Sequence, residues 1–337
     1  MPSISPTSST STPNAFPASG EAQTAGVLES NGIKRSVTLD NADGKFGVAL
    51  DNPSNNVPTA HKDIAARQIV KAIRGFIGGK SHERMIKNGS LWKGAPSGTE
   101  KSHIDKLSKN NLHSLRNELS ELSTHEKKFL ERFFETPLYA THSTGAPVKR
   151  EDESVALFSR QKLIDRNIIF NNDNSPQEDI KLLGNDDFVF FALEAGVESK
   201  KPSSRFGGTT YRFDFDAPAF KDAAWLSLVE MRFAQTPHLA RHIEGLNDDD
   251  VAKLSKRTLQ PFETVFSGAD MKTGIGLSLI RDLRKLSPES NKRLLDSTDE
   301  VAINKLVNGL YRPEIKVARH FFSDKYMEAA VKKDDKS

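Results

Sequence analysis

The 337-residue chain contains no cysteine, which removes disulfides, thiolate nucleophiles and Cys-ligated zinc together. Any chemistry must come from His, carboxylates, hydroxyls or a bound cofactor. No apolar run approaches the roughly 18 residues that cross a bilayer, so no membrane span is expected. With 28% charged residues and a mean hydropathy of -0.53, a soluble protein is expected. Charge of one sign is not in excess either: 48 Lys and Arg stand against 45 Asp and Glu, for a net +3. That balance argues against a phosphate backbone as the main partner, so no nucleic acid is expected. Around Gly207-Gly208 neither GxGxxG nor the Lys-containing Walker pattern is present. His238 and His242 stand four apart but lack the acid of an HExxH motif, and no metal is expected.

Three regions are read from what is present, and the length alone suggests roughly two folded domains. Residues 1–60 are rich in Ser, Thr, Pro, Asn and Gly, with no sustained period of 2 or 3.6, and are expected to form a disordered leader. The leader lacks the basic start and apolar core of a Sec signal. It fits an exported protein and an inert linker equally well.

Residues 61–135 are read as a helical lobe. In His61–Phe76, Ile64, Ile69, Val70, Ile73 and Phe76 occupy one face and Lys62, Arg67, Lys71 and Arg74 the other, with Gly78-Gly79 expected to end the helix. A basic amphipathic helix serves as a calmodulin-type or membrane-surface element, or simply docks on its own domain. A second helix is expected over 103–122. A third is opened by the capping box Ser123-Thr124-His125-Glu126 and carries Phe129, Leu130, Phe133 and Phe134.

Residues 136–337 mix strands and helices. Leu138–Gly145 reads as a strand running into a polar turn; His142, with hydroxyls on both sides including Thr144, suits a ribose or phosphate, or a structural hydrogen bond. Phe188–Phe191, four β-formers between Asp187 and Glu194, is expected to be a central strand covered on both faces. In Arg205–Asp216, Tyr211, Phe213 and Phe215 alternate with Arg212, Asp214 and Asp216, as in a strand with one wet face. Asp214 and Asp216 on that face suit either paired-acid glycosidase chemistry or plain solvation. Residues 217–258 read as helical or mixed, with Glu230 among apolar neighbours in 225–233, and helices are expected at 270–280 and 301–310. In the strand 312–319, Ile315 and Val317 face the core, leaving Glu314 and Lys316 side by side as an ordinary surface ion pair. A terminal helix is expected over 320–331.

Five of these stretches occur in the order of one known family. They are Tyr139–Ser143 with His142; Glu178-Asp179-Ile180 followed by Asp187–Phe191 and Glu194; Phe206-Gly207 with Tyr211 and Asp214; Asp270-Met271 with Gly274-Ile275-Gly276-Leu277; and Glu314-x-Lys316-Val317-x-Arg319. Together they resemble the OspC family of type III secretion effectors over roughly 138–319. The resemblance implies an α+β protein with an ADP-ribosyltransferase-like split β core preceded by a helical lobe. It implies an enzyme of the host-cell cytoplasm that cleaves NAD and passes ADP-ribose to a host protein, closing a ring with loss of ammonia where the acceptor is Arg. Glu314 takes the place of the family's catalytic glutamate, and Lys316 stands where the family pattern has a His. His142, Glu194 and Phe206 fall at the NAD site. The ankyrin repeats of the family are not expected here, so a caspase target is not carried over.

The chemistry gives the same residues roles of their own. Breaking the N-glycosidic bond builds positive charge on ribose, which Glu314 or Glu230 would face, with Glu230 preferred over Glu194 to take the acceptor's proton. Phe206 or Tyr211 would stack on nicotinamide, and Arg205 or Arg212 would neutralise phosphate. Thr144 and Asp187 complete the expected NAD-binding set, and Lys316 is counted with the catalytic residues. The acceptor is read as Arg, or as a hydroxyl such as Thr on a small regulator like ubiquitin. A host activator protein and a monomeric enzyme are also expected. The alternative is a non-catalytic effector that binds a host protein such as calmodulin through the helical lobe.

Overall fold

The computed structural model describes residues 23–30, 33–39, 46–49, 59–94, 101–171, 176–198, 204, 206–233, 239, 243, 246–297 and 299–330. The chain divides into two compact units, Met1–Ala65 and Ala66–Ser337. In the first, β1 (Gln23–Ser30), β2 (Ile33–Leu39) and β3 (Phe46–Ala49) form an antiparallel sheet in the order β1-β2-β3. Strands thus occupy part of the stretch expected to lack regular structure. The β-branched Ile33, Val37 and Thr38 are the local signal for extended backbone there.

Helix α1 runs over Thr59–Asn88, so Gly78 and Gly79 lie inside it and do not end it. Its expected apolar face is also not what it buries. Ile69 is covered, whereas Ile64, Val70 and Phe76 are exposed. Helices α2 (Lys101–Leu119) and α3 (Thr124–Glu135) place Leu112, Leu115, Leu119, Phe129, Leu130 and Phe133 in the main hydrophobic core.

The second unit is built on a seven-stranded sheet in which every neighbouring pair is antiparallel. Its strands are β4 (Leu138–Thr144), β6 (Phe188–Ala195), β7 (Thr209–Asp214), β8 (Trp225–Ser227), β9 (Val265–Ser267), β10 (Glu314–Ala318) and β12 (Met327–Ala330). Their order is β12-β7-β4-β6-β10-β8-β9, which puts β6 at the centre as expected. β5 (Val155–Phe158) pairs separately with β11 (His320–Ser323). The intervening helices are α4 (Arg160–Asp165), α5 (Gln177–Leu183), α6 (Pro218–Ala223), α7 (Asp248–Ser255), α8 (Asp270–Leu283), α9 (Pro288–Asp296) and α10 (Glu300–Leu310). The described residues therefore form an α+β fold.

Directly opposed residues of an antiparallel pair share a face, so the register assigns the two sides. One side carries Val189, Phe191, Leu193, Phe213, Leu226, Phe266, Ile315 and Val317 into the main core. The other carries Phe188, Trp225, Val265 and Ala318 into a second cluster with Met85, Trp92, Ile104, Leu107 and Leu183. Gly274 lets α8 approach β9 closely: a Cβ there would meet the Phe266 ring at 2.3 Å.

Among its described residues the stretch 217–258 takes the mixed form of its two readings, with α6, β8, a short 3-10 turn over Met231–Phe233 and α7. Several expected elements differ. The terminal helix is replaced by β11 and β12. Arg319, at φ 63°, turns the chain sharply after β10, and pairing with β5 and β7 then outweighs local helix propensity. β7 ends at Asp214, whose Oδ1 accepts from the Asp216 backbone amide at 2.9 Å, so the two acids sit in a turn and not along one strand face. Asp216 also meets Lys221 and Lys272 at 2.9 and 3.6 Å.

The expected capping box is present: Ser123 Oγ accepts from Glu126 N at 3.3 Å and Glu126 Oε2 accepts from Ser123 N at 2.8 Å. Arg284, the C-cap of α8, grips the same carboxylate at 2.6 and 2.9 Å. That hydrogen bonding by Arg284, ahead of the opposing effect of burial, lowers Glu126 to about 2. A depressed carboxyl stabilises the fold above its unfolded value of about 4.3, and the gain is lost as pH falls through the folded value. Arg284→Met is therefore expected to move the acid-unfolding midpoint to higher pH, measured by circular dichroism between pH 2 and 5. An unchanged midpoint would remove the pair from acid stability.

Candidate active site

The ladder between β4 and β6 stops at Thr141 opposite Ala192. Beyond that point β4 continues only with β7, through Thr144, and β6 pairs only with β10, from Phe191 to Phe188. The sheet therefore splits at its middle. His142 reaches across the opening, its Nδ1 donating to the Phe190 carbonyl at 2.8 Å. A carbonyl only accepts, so Nδ1 carries the proton. Burial lowers this histidine's pKa against the opposing effect of that hydrogen bond, which keeps the ring neutral near pH 7 and leaves Nε2 an acceptor.

Register places Ser227, Glu314, Ala192, Thr141 and Arg212 in one row across the sheet, with Trp225, Lys316 and Phe190 in the next. Phe190, Ala192 and Glu314 are half-exposed, while the neighbouring Phe188, Trp225 and Lys316 are covered by the second cluster. The result is an open floor beside the split with Glu314 at its edge. Glu230 follows β8 and is half-buried. Its carboxyl is raised first by burial and then by the charge of Glu314 and Asp179, against the pull of Arg312 and Arg232. Two carboxylates thus feel each other at this edge, and one of them takes up a proton more readily than an ordinary glutamate.

Lys316 is no surface residue: it is 1% exposed. Its ammonium donates to Glu314 Oε2 at 3.0 Å and to Ser227 Oγ at 2.9 Å, and lies 4.6 and 5.6 Å from the Trp225 and Phe190 ring centres. Ser227 and Trp225 had no place among the expected site residues. The alternation Trp225-Leu226-Ser227 is their only local signal, and three residues of strand are too short for it to stand out.

The remaining expected residues divide. Phe206 is 47% exposed, and its neighbour Gly207 lies against the turn after β4, where a Cβ would come within 2.0 Å of Gly145 N. Thr144 Oγ1 accepts from Ala146 N at 3.0 Å and so closes that turn. Glu194 is buried and paired with Arg212 Nε at 3.1 Å. Arg212 stacks 4.3 Å over Tyr139 and donates to the Gly196 and Val197 carbonyls at 2.8 and 2.5 Å, so Arg212, paired with Glu194, holds the chain after β6 and is not free for phosphate. Asp187 is buried at the other end of β6, accepting from Ser81 and Ser159 at 2.7 and 2.8 Å, with Arg319 at 3.4 Å. It ties α1 and α4 to the strand. Tyr211 lies on the opposite face, buried edge-on to Tyr326, which does not fit the stacking expected of it. Arg205, His238 and His242 lie outside the described residues. Among the described residues no group of three or more acids and histidines is arranged to hold a metal ion, and no helix is long and apolar enough to cross a membrane.

The protein is thus an α+β chain with a split antiparallel sheet and an ammonium-braced carboxylate at the split. No family model matches it. It is similar to the arginine ADP-riboxanase OspC1 of Shigella flexneri, at 25% identity over 300 residues, covering 80% of this chain and 62% of that protein. Shigella flexneri OspC3 matches at 22% over 311 residues, covering 84% and 63%. CopC of Chromobacterium violaceum, also an arginine ADP-riboxanase, matches at 24% over 283 residues, covering 76% and 58%. The chain is a relative of the OspC family, and it spans less than two thirds of the length of these proteins.

Proposed function

We infer that the chain is a secreted bacterial effector that splits NAD at the nicotinamide–ribose bond and transfers ADP-ribose to a host protein. In this reading 136–337 form a catalytic domain of ADP-ribosyltransferase-like fold, with 61–135 as a helical lobe and 1–60 as an export leader. The observation that carries it is the half-exposed Glu314 beside the split, with Glu230 as a second carboxylate in electrostatic reach. The names of the relatives supply the substrate class.

Cleavage leaves positive charge on the ribose. The Glu314 carboxylate stabilises that charge and accepts from the ribose hydroxyl, in a site where fixed charge acts more strongly than in water. Glu230, whose carboxyl is raised, takes the proton from the acceptor. Phe190 and Phe206 offer aromatic faces to the nucleotide, while register puts His142 on the face of Tyr211, away from Glu314, where it fixes the split through the Phe190 carbonyl. NAD is the substrate and the chemistry asks for no metal. The acceptor is Arg, with ring closure and loss of ammonia, or a hydroxyl such as Thr on a host regulator like ubiquitin.

The test is mass spectrometry of host lysate, which also supplies any host activator, after incubation with the purified chain and NAD. A host protein carrying ADP-ribose, or ADP-ribose less ammonia on Arg, is expected. NAD left intact and no modified protein would remove the reading.

A second reading is a non-catalytic effector that holds a host protein such as calmodulin through α1. The exposure of Val70 and Phe76 on that helix favours it. Calorimetry separates the two: partner binding with no NAD binding selects the second.

A further inference from the structure

We propose that Lys316 is a positioning residue, a buried ammonium clamp that holds Glu314 by Oε2 and so presents Oε1 to the open floor. The proposal rests on the transferase reading for its purpose and on geometry for its substance. A lysine on a strand ordinarily sends its ammonium to water along a flexible four-carbon stem. Here it is 1% exposed, with one carboxylate oxygen at 3.0 Å, one hydroxyl at 2.9 Å and two aromatic faces within 6 Å. Among the described residues the third donor of the ammonium reaches no closer acceptor than the Glu314 carbonyl, at 3.5 Å.

A buried ammonium so enclosed has no alternative partner in water, and the carboxylate it holds loses rotamer freedom before any substrate arrives. The seat is assembled from separate elements. Ser227 and Trp225 come from β8 in register with Glu314 and Lys316, Phe190 comes from β6, and α1 backs the Trp225 ring through His82 at 6.2 Å. Lys316 does not reach solvent and so does not touch substrate. Its effect passes through Glu314.

The cysteine-free sequence makes a sharp test available. A thiol introduced by Lys316→Cys is the only one in the chain, so alkylation in denaturant followed by refolding modifies this position alone. Aminoethylation restores an ammonium on a lysine-like stem, and a neutral alkyl group of similar size restores volume without charge. Wild type carried through the same refolding is the reference. Without an ammonium, NAD cleavage is expected to lose about 10- to 100-fold in kcat with little change in KM, and aminoethylation alone to restore it. Ser227→Ala is expected to give a smaller loss of the same kind. Equal rescue by the neutral group, or a loss in KM alone, would overturn the clamp.

A second readout needs no turnover. The Lys316 ammonium is sheltered, and its 15N resonance is expected to be visible and to shift in Glu314→Gln and in Ser227→Ala. If wild type leaves NAD intact while that resonance responds, the transferase reading fails and the clamp stands. A resonance indifferent to both substitutions overturns the clamp whatever the enzyme does.

Discussion

Glu314→Gln is expected to lower NAD-dependent labelling of the host acceptor by about 10²- to 10³-fold, the cost of removing a charge aimed at the transition state. The amide keeps an oxygen where Glu314 Oε2 accepts from Lys316, so the ammonium loses its counter-charge but retains a hydrogen-bond partner, and the cost to the fold is smaller than in a truncation. Glu314→Ala is the poorer test. It leaves a 1%-exposed ammonium with Ser227 as its one side-chain partner within 3.0 Å, and uncompensated buried charge costs about 3–5 kcal/mol. Loss of activity in that variant would mix chemistry with unfolding. Labelling from adenylate-labelled NAD, with circular dichroism on the same sample, separates the two. Unchanged labelling in a folded Glu314→Gln protein would take Glu314 out of the mechanism and leave Glu230 as the carboxylate to examine.

The parts of this site that could be read beforehand are those that depend on short-range pattern. Phe188–Phe191 announces a central strand because four β-formers in succession need cover on both faces. Glu314-Ile315-Lys316-Val317 announces its two faces because period 2 has no other reading. Burial was beyond that pattern's reach. Alternation places Lys316 on the side away from the main core, but whether that side is wet depends on Trp225 and α1, more than eighty residues away in the chain. The same limit explains Tyr211. Alternation marks its strand, yet the face expected to meet ligand is the one that packs on Tyr326 of the C-terminal segment. Met327-Glu328-Ala329-Ala330 is a run of helix formers, so local propensity favours the expected helix. Edge pairing with Arg212 and Tyr211 decides otherwise.

The largest stability effect is expected at a buried network that no local motif betrays. Asp282 is wholly buried, and accepts from Arg257 at 2.6 Å, from the Tyr311 hydroxyl at 2.8 Å and from Lys285 at 3.1 Å, with Arg281 at 3.4 Å. Arg257 also donates to the Leu310 carbonyl and stacks 5.1 Å from the Tyr311 ring. Burial alone would raise the Asp282 carboxyl, but Arg281, Arg257 and Lys285 together hold it below its ordinary range. Its stabilisation is therefore present above the unfolded value of about 3.9 and lost as pH falls below it. Asp282→Asn removes the charge and leaves the Arg257 guanidinium enclosed, for an expected loss of about 3–5 kcal/mol in urea unfolding at pH 7. A double variant, Arg257→Met with Asp282→Leu, removes both charges and is expected to recover much of that loss, because apolar replacement of a whole buried pair is often near neutral. The network closes around Leu310 and Tyr311, three residues before Glu314, so the single variant is also expected to loosen the start of β10 and depress labelling. If Asp282→Asn unfolds at the wild-type urea concentration, or the double variant is weaker than the single, the network is not what secures that strand.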